Sequence, residues 1–324
     1  MEKANGKIVK GVGGKYTVRT ADGARFAARA RGAFRHAQIS PEVGDDVMLR
    51  IEENGDAYIE SIGARRNLLI RPPMANLDIL FITAAAAKPA PILSTLDKLS
   101  AICVHGGILP VFVITKCDLD PAGGARIAAL YEKSGFPAFT LRGLGEDAGS
   151  ADGTESTNST NSTDAGEVTA LRAFLAENLP GKTAAFAGAS GIGKSTLLNL
   201  LFPALALATG SISEKIERGR HTTRHVELFE ADGGLVADTP GFSMLDFMRF
   251  DFMKVGDLAD AFPDFAPYLG KCRYTKCTHL CEDGCAVCEA VARGDIERSR
   301  HDSYVELYHT LKEKKEWKKN SRFA

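Results

Sequence analysis

Apolar and polar residues alternate at the start of the chain. "KYTVRT" and "VMLRI" show this most plainly, inside the longer stretches "GKIVKGVGGKYTVRT", "ARFAARARGAF" and "VGDDVMLRIEENGDAYIESI". A period of two broken by Gly, Asn and Asp predicts short, half-buried strands, so residues 1–66 read as a small five-stranded β-barrel of the OB type. From about 67 to 246 the pattern becomes apolar strands alternating with helical stretches. "LDILFIT", "LPVFVIT", "TAAFAG" and "GGLVAD" are the predicted strands. "PILSTLDKLSAICVHGG", "GARIAALYEKSGF", "VTALRAFLAENL" and "KSTLLNLLF" are the predicted helices. Such alternation predicts an α/β domain, a parallel sheet covered by helices. Residues 247–324 hold a cysteine cluster and a terminal helical stretch, and are expected to form a third, α-helical domain.

One segment breaks the α/β pattern. "GLGEDAGSADGTESTNSTNSTDAGE", residues 143–167, holds six acids, no base, no aromatic and a single leucine. It lacks the apolar surface to fold, and is expected to be a disordered loop insertion.

Composition narrows the function classes. Forty basic against forty-one acidic residues give the whole chain no basic signal for nucleic acid, so any such surface is local. The barrel region is one candidate, with twelve Lys/Arg and nine Asp/Glu over residues 1–66; the tail 312–322, with six Lys/Arg and two Glu, is another. The longest apolar stretch, "NLDILFITAAAAKPAPIL", is broken by Asp78, Lys88 and two prolines, which excludes a simple membrane span. "MEKANGKIVKG" lacks the apolar core of a signal peptide, and a cytoplasmic monomer with no membrane contact is expected.

Three motifs carry chemistry in the α/β region. "GASGIGKS" fits G-x-x-x-x-G-K-[ST] across Gly188, Ala189, Ser190, Gly191, Ile192, Gly193, Lys194 and Ser195, with Thr196 next. It follows a predicted strand and opens a predicted helix. There, backbone amides and the positive helix end meet phosphate, Lys194 reaches the β- and γ-phosphates, and Ser195 ligates Mg²⁺. "LVADTPG" puts Asp238 and Gly241 at a strand end as D-x-x-G, with Asp238 on Mg²⁺ and the Gly241 amide on the γ-phosphate. Between them "RGRHTTRHVELF" offers Thr222 and Thr223, either of which suits a switch threonine on Mg²⁺.

The fourth expected piece of a GTPase, the guanine-reading [N/T]KxD box, is missing downstream. "LPVFVITKCDL" supplies it upstream instead: Thr115, Lys116 and Asp118 stand where a buried strand empties into a loop, 70 residues before the phosphate loop. Asp118 can accept from guanine N1 and N2, edges that adenine lacks. Moving one strand and its loop to the front leaves a sheet intact when the old termini were close, so this order is a permutation.

Five of seven cysteines lie between Cys272 and Cys288. The spacing C-x4-C-x-H-x5-C selects Cys272, Cys277, His279 and Cys285 as ligands of one structural Zn²⁺. Spacing alone also admits Cys281 in place of Cys285.

With these pieces in view the chain resembles the RsgA (YjeQ) family of circularly permuted GTPases of small-ribosomal-subunit assembly. The residues that carry the likeness are "RRNLLIRPPMANLDILFIT", "TKCDL", "GASGIGKSTLLN", "GRHTTRHVEL", "DTPGF" and the cysteine cluster, in that order. The resemblance implies an OB-fold, a permuted GTPase core and a zinc domain. It also implies GTP hydrolysis to GDP and phosphate, stimulated by the small subunit, with ribosomal RNA as a partner. A switch histidine, here His221, takes the catalytic part beside Lys194, since Phe242 stands where a water-orienting glutamine would be. Two features depart from the usual GTPase pattern: Thr115 replaces asparagine in the base box, and Thr140 and Leu141 match poorly the Ser-Ala pair that backs the base. The competing reading is an RNA-binding OB–zinc module with a regulatory, non-hydrolysing nucleotide site.

Overall fold

The structure is a computed structural model that describes residues 2–30, 34, 40–70, 73–143, 162–203, 226–238 and 253–320. The chain divides into two compact units. The first comprises residues 1–81, 169–190 and 194–247, the second residues 82–168, 191–193 and 248–324.

In the first unit the alternating N-terminal segment forms β1 (Glu2–Val12), β2 (Lys15–Thr20), β3 (Arg25–Ala30), β4 (Asp46–Ile51) and β5 (Ala57–Ile62). They pair in the order β1-β2-β3-β5-β4, and β4 returns to β1 from Lys7↔Asp46 to Glu2↔Ile51, which closes the barrel. The alternate residues Val18, Val47, Leu49, Ala57 and Ile59 are buried inside, as period-two strands require. A short hairpin follows, β6 (Leu68–Ile70) with β7 (Pro73–Ala75).

The α/β strands β8 (Ile79–Ala85), β9 (Leu109–Thr115), β11 (Thr183–Gly188) and β13 (Gly234–Asp238) coincide with the four apolar runs; β10 (Ala138–Thr140) and β12 (Glu227–Ala231) add to them. The first unit continues β8-β11-β13-β12 onto β1, and the second contains β10-β9-β8. β8 appears in both because the division falls between Phe81 and Ile82. The β10–β9 and β11–β13 pairs are parallel, while β12 runs antiparallel to β13 as the arm of a hairpin. Phe81 stacks on Phe186 with ring centres 4.5 Å apart, one stabilising contact of the β8–β11 core.

Helices occupy Leu93–His105, Pro121–Lys133, Ser162–Asn178 and Lys194–Leu201. The third corrects an expectation. The acidic segment 143–167 was expected to be loop throughout, yet its last six residues are helical. Residues 144–161 of that segment lie outside the described residues.

The C-terminal part of the second unit begins with three 3₁₀ turns, Val255–Asp257, Ala259–Ala261 and Pro263–Phe265, and ends in helices Ala286–Arg293 and Arg298–Asn320. Phe262, Phe265 and Tyr304 form its aromatic core, with ring centres 5.0–5.4 Å apart. Arg300 is fully buried there and its guanidinium meets Asp97 at 2.8 Å and Asp264 at 2.9 Å, which ties the last helix to Leu93–His105.

Candidate functional site

β9 is apolar from Pro110 to Ile114 and buried, and it delivers the base box at its end. Thr115 is fully buried, Lys116 turns the chain with φ 55°, and Asp118 emerges exposed. The Lys116 ammonium donates to the Lys88 carbonyl at 2.9 Å, so its stem is held along the loop. The Gly143 amide donates to Asp118 Oδ1 at 3.2 Å and leaves the other carboxylate oxygen for a ligand edge.

The decisive contact involves the residue that departs from the usual pattern. Thr115 Oγ1 donates to the Ile192 carbonyl at 2.6 Å, across 77 positions. Ile192 is the buried residue of the loop tip Gly191–Gly193, and that tip belongs to the second unit with the base box. The tie that asparagine usually makes is therefore made by a threonine hydroxyl. Gly191 and Gly193 take φ of 77° and 86°, left-handed values that a side chain would strain. In the first unit, β11 runs into the loop and helix Lys194–Leu201 leaves it; Lys194 Nζ lies 3.4 Å from the Gly188 carbonyl, folded back over its own loop.

In the second unit Cys272, Cys277, His279 and Cys285 converge, with all four candidate ligand atoms within 4.8 Å of one another. His279 Nδ1 lies 3.5 Å from Cys272 Sγ and 3.6 Å from Cys285 Sγ, and the two sulfurs are 4.0 Å apart. Tetrahedral zinc, with bonds of about 2.3 Å to sulfur and about 2.0–2.1 Å to nitrogen, needs separations of about 3.5–3.8 Å. The donor set fits that ion. Of the two cysteines that spacing left open, Cys285 is buried in the cluster, while Cys281 is exposed and outside it. Burial pushes the Cys277 and Cys285 thiols up and the His279 imidazole down, which favours the protonated thiols of those two cysteines and a neutral imidazole. Metal binding would have to displace those protons.

Comparison with known proteins decides the family. The family described as RsgA N-terminal domain matches residues 5–59, and the one described as RsgA GTPase matches residues 153–248. A protein named small ribosomal subunit biogenesis GTPase RsgA from Geobacillus kaustophilus is 38% identical over 321 residues, covering 96% of this chain and 99% of that one. Its namesake from Lactococcus lactis is 39% identical over 303 residues, with 94% and 93% covered. The chain belongs to the RsgA family of GTPases. Among solved structures, YloQ, described as a circularly permuted GTPase, matches with TM-score 0.73 at 31% identity over 97% of this chain and 96% of that one. YjeQ from Thermotoga maritima matches with TM-score 0.73 at 28% identity, with 96% and 99% covered. The permutation expected from the motif order, the barrel in front and the GTPase class agree with these RsgA relatives.

Not every expected RsgA residue can be placed. His221, Thr222, Thr223 and Gly241 lie outside the described residues; Asp238 ends β13. Three residues near the sites were not anticipated. The Glu282 carboxylate accepts from the Thr278 amide at 2.7 Å and from its hydroxyl, and from the Leu280 and Cys281 amides at 3.0 and 3.3 Å. Burial opposes its ionisation, but these donors, Thr278 first, hold its carboxyl down at about 2 and fix the loop that presents His279. His301, given no role by the sequence, has Nε2 2.7 Å from the His279 carbonyl. Glu167 binds the loop beside Asp118.

Proposed function

We propose that this chain hydrolyses GTP to GDP and phosphate on the small ribosomal subunit, and that the nucleotide state times its stay there. The Thr115–Ile192 hydrogen bond is the observation that carries the reading, because it joins the base box to the phosphate-loop tip despite their reversed order. Asp118 takes guanine N1 and N2, and the Lys116 stem lies against the base. The amides of residues 188–193 and the Lys194 ammonium receive the phosphates; Ser195 and Thr196 follow at the helix N-terminus, whose dipole favours negative charge. Ser195, Asp238 and one of Thr222 and Thr223 would hold Mg²⁺, which neutralises charge developing between the β- and γ-phosphates. His221 orients or deprotonates the attacking water, and Lys194 and Gly241 stabilise the transferred group.

Cys272, Cys277, His279 and Cys285 would hold one Zn²⁺, whose part would be structural: it would tie together the loop that carries these four ligands. The barrel and the basic C-terminal tail supply the surfaces for ribosomal RNA. No helix among the described residues is long and apolar enough to cross a membrane.

GTP turnover of the purified chain, with and without small ribosomal subunits, tests the proposal. Subunits should raise turnover many-fold. Asp118→Asn should abolish the preference for guanine nucleotides, and His221→Ala should keep binding while losing turnover. Slow turnover that ignores the subunit, in a chain that still binds subunits, would favour an RNA-binding module with a silent nucleotide site.

A further inference from the structure

Guanine recognition by Asp118 depends on the orientation of a carboxylate on an exposed loop. A Ser-Ala pair would ordinarily back the base, but this chain has Thr140 and Leu141 in that stretch. A different arrangement does the holding. The Leu141 side chain is fully buried, its amide donates to the Ile114 carbonyl at 2.7 Å, and its carbonyl receives the Cys117 amide at 3.1 Å. Two residues on, Gly143 takes φ 66° and turns its amide onto Asp118 Oδ1. The loop 141–143 is thus the backing of the base box.

That loop is clamped from outside by one side chain. Glu167 Oε2 accepts from the Arg142 amide at 3.1 Å, Oε1 accepts from the Thr140 hydroxyl at 3.3 Å, and the Arg142 guanidinium lies 3.5 Å from Oε1. The carboxylate therefore brackets Leu141 from both neighbours. It reaches across 25 positions, from helix Ser162–Asn178 on the far side of the acidic insertion. Its side chain is 21% exposed, so these bonds are only partly screened by water. Glu167 is also among the charges that bear on the Cys117 thiol, after burial and the Leu141 backbone, which places it in the field of the base box itself.

We propose that Glu167 is a positioning residue for guanine selectivity: it locks loop 140–143 so that the Gly143 amide holds Asp118 towards the guanine N1 and N2 edge. This deepens the GTPase reading and rests on it. Glu167 touches neither base nor phosphate in this role. It sets how well Asp118 discriminates, not how fast bound GTP is hydrolysed.

The test compares GTP, GDP and ITP binding to the full-length chain, because hypoxanthine lacks the 2-amino group that Asp118 reads. Loss of charge-assisted bonds of this kind should weaken GTP and GDP binding about tenfold in Glu167→Ala. ITP binding should fall less, so the GTP-to-ITP preference shrinks, while turnover at saturating GTP stays as in the parent. Glu167→Gln keeps an acceptor oxygen for the Arg142 amide and should recover much of the preference. Thr140→Val, which removes one donor without touching Glu167, should show a smaller shift in the same sense and serves if Glu167→Ala does not fold. A parent chain with no preference for GTP over ITP would overturn the reading of Asp118 as the guanine-reading carboxylate, on which the clamp rests. A parent with that preference, and a folded Glu167→Ala or Thr140→Val that keeps it intact, would overturn the clamp alone. Equal loss of GTP and ITP affinity with a lowered melting temperature would also overturn it, since that is a structural role only.

Discussion

Replacing Arg300 by methionine should cost the second unit several kcal/mol. The Arg300 side chain is 0% exposed, and its Nε and Nη2 fork onto Asp264 at 3.2 and 2.9 Å while Nη1 meets Asp97 at 2.8 Å and the Ser100 hydroxyl at 3.2 Å. Its guanidinium carbon also lies 4.6 Å from the centre of the Phe262 ring. Asp97 has other donors, the Ser303 hydroxyl at 2.6 Å and the Tyr131 hydroxyl at 3.1 Å, but no other cation is seen on it among the described contacts. Methionine roughly fills the aliphatic volume and leaves two buried carboxylates facing each other's field. Removing one partner of a buried pair costs about 3–5 kcal/mol, mostly as the desolvation of the charge left behind. For a body of this size that corresponds to a fall of about 6–20 °C in melting temperature. Calorimetry at saturating zinc measures it, with zinc content checked so that metal loss is not mistaken for the effect. Arg300→Lys should fall between, because an ammonium cannot fork onto Asp264 and reach Asp97 together. Arg300→Met with Asp97→Asn and Asp264→Asn should regain more than half of the loss, because the stranded charges are gone. An Arg300→Met chain melting within about 2 °C of the parent, or a triple variant no better than the single, would refute the reasoning.

Two further outcomes follow from the sites. Thr115→Val keeps the shape of the buried side chain but orphans the Ile192 carbonyl; a loss of about 1.4 kcal/mol should weaken GDP and GTP binding about tenfold in a fluorescent-nucleotide titration. Unchanged affinity would show that the hydroxyl does not tie the two loops. Cys285→Ser should abolish retention of one zinc equivalent, measured by elemental analysis, and weaken the cap that Cys285 Sγ provides to the Cys288 amide at 3.5 Å. Cys281→Ser should retain the metal, and the opposite result would exchange the two ligands.

How much was legible depended on how local the information was. The barrel strands are legible because each carries its own alternation, and Val18, Leu49 and Ile59 point inward where the period of two puts them. The phosphate loop is legible because its glycines, lysine and serine are adjacent in sequence and their chemistry needs them adjacent. Spacing narrowed the candidate metal ligands to two sets; folding brings Cys285 into the cluster with Cys272, Cys277 and His279 and leaves Cys281 exposed outside it. Thr115 shows a limit of another kind. Its type departs from the usual pattern, but a hydroxyl can donate to a carbonyl as an amide does, so the tie survives the substitution.

Partner choice between distant segments is what pattern reading does not reach. β12, at the outer side of β13, would leave a row of backbone donors and acceptors unpaired, and β1 takes that edge at Lys10↔Glu227. Any strand could satisfy those groups, so nothing in "ELFEA" names β1. The choice is sharpened by charge: Lys10 meets Glu227 at 2.7 Å, and Arg19 meets Glu230 at 2.6 and 3.0 Å. Such half-exposed pairs contribute only about 0–1 kcal/mol each, so they select among possible partners but do not create the edge. Arg300 makes the same point from the interior. In "IERSRHD" it has the same chemistry as Arg298, two residues before it, and one helical face cannot hold both. Arg298 is exposed and Arg300 buried because Asp97, 203 positions earlier, and Asp264 wait on the side that Arg300 faces. A buried cation is written into the sequence only as the acids that will surround it, and those become recognisable once the fold has brought them together.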